Sequence, residues 1–414
     1  MSEWTLGTIN DVCDNIFSGG TPATSKAAYW NGAYSWLSSG ETRADYICRT
    51  EKTITEEGIQ KSSTRLALTG DIVLACAGQG KTRGQTSFLM IDTYINQSLI
   101  ALRTNGEIIN RYLYYFMKSQ YNNLRIASDA NSIRGSITTK DLAALPIKYP
   151  KMQSQRKVVA VLSSYDNFIE NNTRRIAILE EMAQKLYREW FVHFRFPGYE
   201  NANMVESELG LIPEGWEVST VDANTTLLRR GITPKYDDTA SKTVVNQKCV
   251  RNFSVDMSLS RQQSKDYPVE LNLQYGDILI NSTGAGTLGR VGQFFDNVVD
   301  TTVDSHVTIV RPQKNCICYL GAIIKSLQSE LMDMGVGSTN QTELNRDLIK
   351  CIRVVLPTDE VLNTFERAVN NWMALKRILV SQNMNLRKTR DLLLPRLISG
   401  DIDISKLDIP IKEG

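Results

Sequence analysis

The stretch Ser207–Val218, "SELGLIPEGWEV", lies in the middle of a chain of 414 residues, yet it reads as the opening of a domain: a Pro-Glu-Gly turn, a tryptophan, then alternating apolar residues. The N-terminus has the same character in "SEWTLGTINDV", Ser2–Val12. Trp4 recurs as Trp216 and Thr21-Pro22 as Thr233-Pro234, both at a spacing of 212 residues. "GDIVLA" from Gly70 returns as "GDILIN" from Gly276 at 206, and "INQSLIALR" ending at Arg103 returns as "VDSHVTIVR" ending at Arg311 at 208. "KDLAALPIKYP" from Lys140 returns as "RDLIKCIRVVLP" from Arg346. Matches that keep their order and drift by a few residues are what duplication followed by loop insertion leaves behind. The chain is therefore read as a tandem repeat.

Each half begins with about 150 mixed residues. Strand-like apolar runs (Asp71–Ala75, Leu99–Arg103, Asp277–Asn281, Val307–Arg311) are broken by Gly, Ser, Thr and Asn loops. A long helical segment follows. From about Gln153 to His193, Leu162, Tyr165, Ile169, Ile176, Leu179, Leu186 and Trp190 recur at alternating steps of three and four, with Asn172 and Ala183 between them, which is a coiled-coil seam. Phe365, Val369, Trp372, Leu379, Leu386, Leu393 and Leu397 repeat it in the second half, less regularly, because Lys376, Asn383 and Arg390 fall on the seam and Leu375 shifts its phase. Pro395 is expected to end or bend that helix.

The fold class is α+β: two β-rich mixed domains, each followed by a helix of roughly 60 Å. The helices are expected to pair as an antiparallel coiled coil, giving a dumbbell with approximate two-fold symmetry. The alternative is that each helix packs on its own globular domain. The boundaries expected are 1–151 and 209–357 for the domains, 152–193 and 358–400 for the helices, 194–208 for a Pro-, Gly- and Asn-rich connector, and 401–414 for a tail.

Composition narrows the chemistry. There is no run of 18 apolar residues to span a bilayer and no signal-peptide pattern in "MSEWTLGTIND", so a cytoplasmic protein with no membrane partner is expected. The seven cysteines are scattered, without the paired spacing of a zinc site, and are expected to be reduced and buried. A net charge of +2 excludes a uniformly basic surface but not local basic patches. "ACAGQGKT", Ala75–Thr82, approaches a phosphate-binding loop, but Ala75 replaces the first glycine, a strand-like run follows where a helix is required, and the repeat "NSTGAGTLG" has no lysine. A basic glycine loop approaching a nucleic-acid backbone fits better than an ATPase. Neither Asn-Pro-Pro nor Asp-Pro-Pro, the catalytic tripeptides of adenine methylation, occurs, and His193 and His306 are placed on a helix end and in a strand-like run.

These stretches resemble the specificity subunit of type I restriction-modification systems. The resemblance rests on "SELGLIPEGWEV", "GDILINSTGAGTLGRVG", "STNQTELNRDLIKCIRVVLP" and "LRKTRDLLLPRLISGDI", and in the first half on "GDIVLACAGQGKTRG", "NSIRGSITTKDLAALPIKYP" and "QRKVVAVLSSYDNFI". It spans nearly the whole chain. It implies a chain with no catalysis and no cofactor of its own, whose two domains each read half of a split, asymmetric sequence in double-stranded DNA. The paired helices would fix the gap between the halves and dock two modification subunits, which bind S-adenosylmethionine; restriction subunits using ATP and Mg would join the assembly.

Arg and Lys suit guanine edges, and Asn and Gln suit adenine. The candidate DNA-contacting residues are therefore Ser38, Ser39, Glu41, Arg43, Gln79, Lys81, Thr82, Arg83, Asn131, Ser132 and Arg134 in the first half. In the second half they are Asn246, Gln247, Lys248, Ser282, Thr283, Thr287, Ser338, Thr339, Asn340 and Gln341. Equivalent loops differ between halves, "GQGKTRG" against "TGAGTLG", as two readers of different half-sites should.

Overall fold

The computed structural model of the chain describes residues 4–78, 80–131, 135–335 and 343–409. These form two compact units, Met1–Glu170 with Met384–Gly414, and Asn171–Asn383.

Unit 1 is layered on a five-stranded sheet in the order Cys13–Ser18, Leu99–Thr104, Ile72–Ala75, Thr86–Leu89, Tyr46–Ile47. The run "IVLA" is buried at every position, so its alternating side chains feed two different cores. Ile72 and Leu74 pack with Ile100, Leu102 and the helix Asn110–Ser119, while Val73 and Ala75 pack with Leu99, Ala101 and Ile95 under a four-stranded sheet. A pair of strands, Trp4–Thr8 and Pro146–Pro150, joins the two ends of the domain.

Unit 2 repeats the plan. Ile278–Asn281 lies between Val307–Pro312 and Val291–Gln293 in a six-stranded sheet, with Ile278, Ile280 and Val310 facing the helices and Leu279, Val307 and Ile309 facing a second core. Glu217–Thr220 pairs with Arg353–Leu356 as the first strand pairs with Pro146–Pro150.

The repeated Gly-Asp-Ile and terminal-Arg motifs meet in both units. Arg103 Nη2 donates to Asp71 at 2.7 Å, and Arg311 Nε donates to Asp277 at 2.8 Å. The glycine before each aspartate adopts a left-handed φ, +92° at Gly70 and +94° at Gly276, which turns the chain so that the carboxylate also accepts a backbone N–H, from Leu68 and from Gln274. Two buried central strands are thus tied by one charge-assisted link.

The long helices span Met152–Tyr187, extended by one π-helical turn at Arg188–Val192, and Asp359–Ser399. Of the expected seam residues, Leu162, Ile169, Leu179, Phe365, Val369 and Leu379 are buried, and Tyr165, Ile176, Leu186, Trp372, Leu386 and Leu393 are half-buried. The three polar seam positions all find partners on the other helix: Lys376 with Glu180 at 2.6 Å, Asn383 accepting from Asn172 at 3.1 Å, and Arg390 with Asp166 at 2.6 Å. The same helices close the domain cores. Val158 and Leu162 share one cluster with Ile9, Val12, Leu394, Leu397 and Ile398, so packing on a domain and facing another helix are not alternatives.

The helix end, the connector and the tail gain definition, and the expectation for the cysteines is corrected. The second helix continues past Pro395 to Ser399. Pro395 is solvent-exposed and only four residues from the end, so water can satisfy the Asp391 carbonyl it cannot bond, while Leu394, Leu397 and Ile398 hold the turn in the core. The connector is structured: Phe194 and Phe196 pack on Trp216 with ring centroids 5.6 and 5.1 Å apart, and Met204–Ser207 forms a hairpin with Gly210–Pro213. The tail is anchored as well, because Lys157 Nζ donates to the carbonyls of Ser405 and Leu407 and Ile404 is buried. All seven cysteines are free, but Cys48 and Cys351 are exposed rather than buried.

Candidate nucleic-acid interface

In the first half the glycine loop Cys76–Gln85 connects Ile72–Ala75 to the antiparallel strand Thr86–Leu89. It is a hairpin loop with no helix after it, which is the wrong geometry for cradling a nucleotide phosphate. The loop is held from beneath by the helix Tyr121–Asn131: Tyr121 Oη donates to the Lys81 carbonyl at 2.9 Å and Arg125 Nη1 to the Gly80 carbonyl at 2.6 Å. Arg83 turns inward, where it pairs with Asp129 and donates to the Gly135 carbonyl. Ile137 N donates to the Cys76 carbonyl at 2.9 Å, so the segment after residue 134 lies against the loop. On the other side, Thr42 Oγ1 donates to Gln85 at 3.4 Å and Ser87 Oγ to the Ala44 carbonyl at 2.6 Å. The 38–43 and 80–85 stretches and the segment at Ile137 therefore meet in one loop cluster.

The second half assembles a similar cluster. Leu344 N donates to the Ser282 carbonyl at 2.9 Å, and Asn281 Nδ2 donates to the Gln247 carbonyl at 3.0 Å. This places the 246–248 and 282–287 stretches together, with residue 344 beside them. Gly284 makes the approach feasible: its φ is +107°, and a Cβ there would stand 2.8 Å from Gln247 Oε1.

Within these clusters the candidates separate by exposure. Arg43, Lys81 and Lys248 are exposed, and Ser38, Ser39, Thr82, Gln247, Thr283 and Thr287 are half-buried. Glu41, Arg83, Asn246 and Ser282 are buried and, Arg83 Nε apart, their polar groups are used inside the protein. Glu41 accepts from Ser38 N and Glu51 N, Asn246 donates to the Leu259 carbonyl, and Ser282 Oγ bonds Thr308 Oγ1. These four build the loops and present no side-chain group outward. Asn131 ends the helix beneath the first loop. Gln79, Ser132, Arg134, Ser338, Thr339, Asn340 and Gln341 lie outside the described residues.

Residues 1–181 match the family model described as the type I restriction modification DNA specificity domain. The specificity subunit of the type I restriction enzyme MjaIX of Methanocaldococcus jannaschii is 26% identical, over 98% of this chain and 95% of its own. The chain thus carries a type I restriction modification DNA specificity domain over residues 1–181 and is similar along nearly its whole length to a type I restriction enzyme specificity subunit. The Escherichia coli EcoR124I/EcoR124II specificity subunit is 28% identical over 49% of this chain and 50% of its own. Among solved structures, a type-I restriction-modification system S subunit from M. genitalium has the same fold, with a TM-score of 0.57, 16% identity and 96% of each chain covered.

One exposed group in the second cluster was not among the residues chosen from sequence. His306 does not lie inside a strand; it sits in the turn before Val307–Pro312, and its Nδ1 is 2.7 Å from Thr283 Oγ1 of the glycine loop. Its only sequence signal is its place in the "VDSHVTIVR" repeat, where the first half has Ser98. No helix among the described residues is long and apolar enough to cross a membrane.

Proposed function

We propose that this chain is the non-catalytic DNA-recognition subunit of a type I restriction-modification complex, with domains 1–151 and 209–357 each reading one half of a split, asymmetric target. The observation that carries this reading is that loops of different sequence gather at the same place on two separately compact units. Phosphate contacts position such a domain and base contacts specify it. Lys81 and Lys248 project charge without an ion-pair partner among the described residues and are assigned to phosphates. Arg43, Thr82, Gln247, Thr283, Thr287 and His306 are assigned to base edges.

The helices are proposed to pair antiparallel with approximate two-fold symmetry, to set the gap between half-sites, and to dock two modification subunits. This is supported by each unit containing the start of one long helix and the end of the other. Glu180 opposite Lys376 and Asn172 opposite Asn383 run in opposite senses along the chain. S-adenosylmethionine belongs to the modification subunits in this reading, and ATP and Mg to restriction subunits.

The direct test is to express the chain with its modification subunit and map methylated adenines in the host genome. A split motif with a fixed gap is expected, and adding whole turns to both helices should widen the gap with unchanged half-sites. A single contiguous motif, or a gap insensitive to the added turns, refutes the assignment. In binding assays Lys81→Ala and Lys248→Ala should weaken affinity for all sequences alike, each lowering the salt-dependence slope by about 1.

A further inference from the structure

The two halves fill the junction between domain and long helices differently. In unit 1, Tyr114 and Tyr115 are fully buried beside Tyr46 and Phe88, with the Tyr46–Tyr114 and Phe88–Tyr114 centroids 5.7 and 6.0 Å apart. The rings surround a charged set: Tyr46 and Tyr115 donate to Asp166, Arg390 bridges Asp166 and Asp45, and Asp45 binds Lys118 at 2.6 Å.

The second half keeps the scaffold and changes the filling, with the Gln293 side chain standing against Gly321 where unit 1 has Tyr114. Asn110–Ser119 and Ile317–Ser326 are both ten-residue helices, and position for position Gly321 and Ala322 replace Tyr114 and Tyr115, whereas Lys325 retains the place of Lys118. In the sheets, Gln293 stands opposite Ile278 as Phe88 stands opposite Ile72, and Phe253 precedes the strand partner of Gln293 as Asp45 precedes that of Phe88. Counted from the first residue of each long helix, Met373 replaces Asp166 and Ala183 replaces Arg390.

The result is a cavity of about 560 Å³ in unit 2, with Tyr187, Phe253, Phe295, Phe365 and Met373 on its apolar wall and Lys325 at its edge. That volume is ordinary for a small-molecule site. Lys325 has no ion-pair partner among the described residues. Its ammonium lies 4.4 Å from the Phe253 ring, and the one acid lining the cavity, Glu180, is already bound to Lys376. Burial pulls the Lys325 ammonium below its ordinary value against the pull of Glu180, with Lys376 and Arg188 adding repulsion.

We propose that this cavity is a site for a small aromatic carboxylate, the ring taking the space beside Ala322 that Tyr115 fills in unit 1 and the carboxylate meeting Lys325 as Asp45 meets Lys118. A ring recovers the buried apolar contact the second half lacks, and a carboxylate supplies the missing counter-charge where little water competes for it. The ligand class thus follows from what one half of the molecule contains and the other omits.

Titration of the full chain with 4-hydroxyphenylacetate, followed by calorimetry, tests this. One molecule is expected to bind with a Kd below about 1 mM. Lys325→Gln should weaken it about tenfold or more, Ala322→Tyr should abolish it by restoring the unit 1 filling, and Lys118→Gln should leave it unchanged. Two outcomes need no variant and overturn the proposal: no saturable binding, or equal affinity for the neutral 4-hydroxyphenylethanol. Full binding by Ala322→Tyr overturns it as well.

Discussion

Replacing Trp216–Leu356 by the corresponding segment of a relative with a different target is expected to change one half of the methylated motif completely and leave the other half and the gap intact. The segment carries the whole second loop cluster and all of the core around Leu279 and Ile309, and it shares the core around Ile278 with Phe191, Phe365, Val369 and Met373 outside it. Trp216 rests on Phe191, Phe194 and Phe196, and Tyr319 rests on Phe191 and Phe365, all but Trp216 and Tyr319 lying outside the exchanged residues. Tyr319 N also donates to the buried carboxylate of Glu366 at 2.7 Å. A donor segment that keeps Trp216 and Tyr319 should therefore dock without a cavity, and one lacking Trp216 should cost about 3–5 kcal/mol at the junction. Sequencing of methylated adenines reads the outcome. A motif altered in both halves, or an unchanged motif, contradicts the division of labour between the two domains.

Much of this architecture was legible because duplication writes the same constraints twice. "GDIVLA" and "GDILIN" differ in detail, but both place an aspartate after a left-handed glycine and before a fully buried strand, and both find their arginine on the neighbouring strand. The glycine loops were likewise recognisable as loops. What the loop residues do was not. Glu41, Arg83, Asn246 and Ser282 have the right chemistry for reading bases, and whether such a group points outward depends on neighbours far away in sequence, such as Asp129 and Gly135 for Arg83. The polar seam positions hide for the same reason. Lys376, Asn383 and Arg390 read as defects in a heptad, because each is satisfied by a residue over 190 positions earlier whose register only the folded pairing fixes. An empty space is harder still to read: Gly321 and Ala322 are unremarkable helix residues until set against Tyr114 and Tyr115.

Arg390→Ala is expected to be the most destabilising single substitution in unit 1, costing about 3–5 kcal/mol, because it strips the cation from a buried carboxylate and leaves the charge in place. The side chains of Arg390 and Asp166 are 7% and 2% exposed, so solvent cannot take over. Tyr46 and Tyr115 would still donate to Asp166, at 2.7 and 2.6 Å, but neutral donors do not balance a full charge. Asp45 keeps Lys118, and its carboxyl, pushed up by burial and pulled down further by Lys118 and Arg390, should move back upward. The unfolding transition of unit 1, followed by urea denaturation, measures the loss. A double variant, Arg390→Met with Asp166→Asn, separates charge from packing: it removes both members of the pair while preserving volume and both tyrosine hydrogen bonds, so most of the stability should return. If Arg390→Ala and the double variant were equally unstable, the attraction of the ion pair itself, and not relief of an unpaired buried charge, would be what holds unit 1.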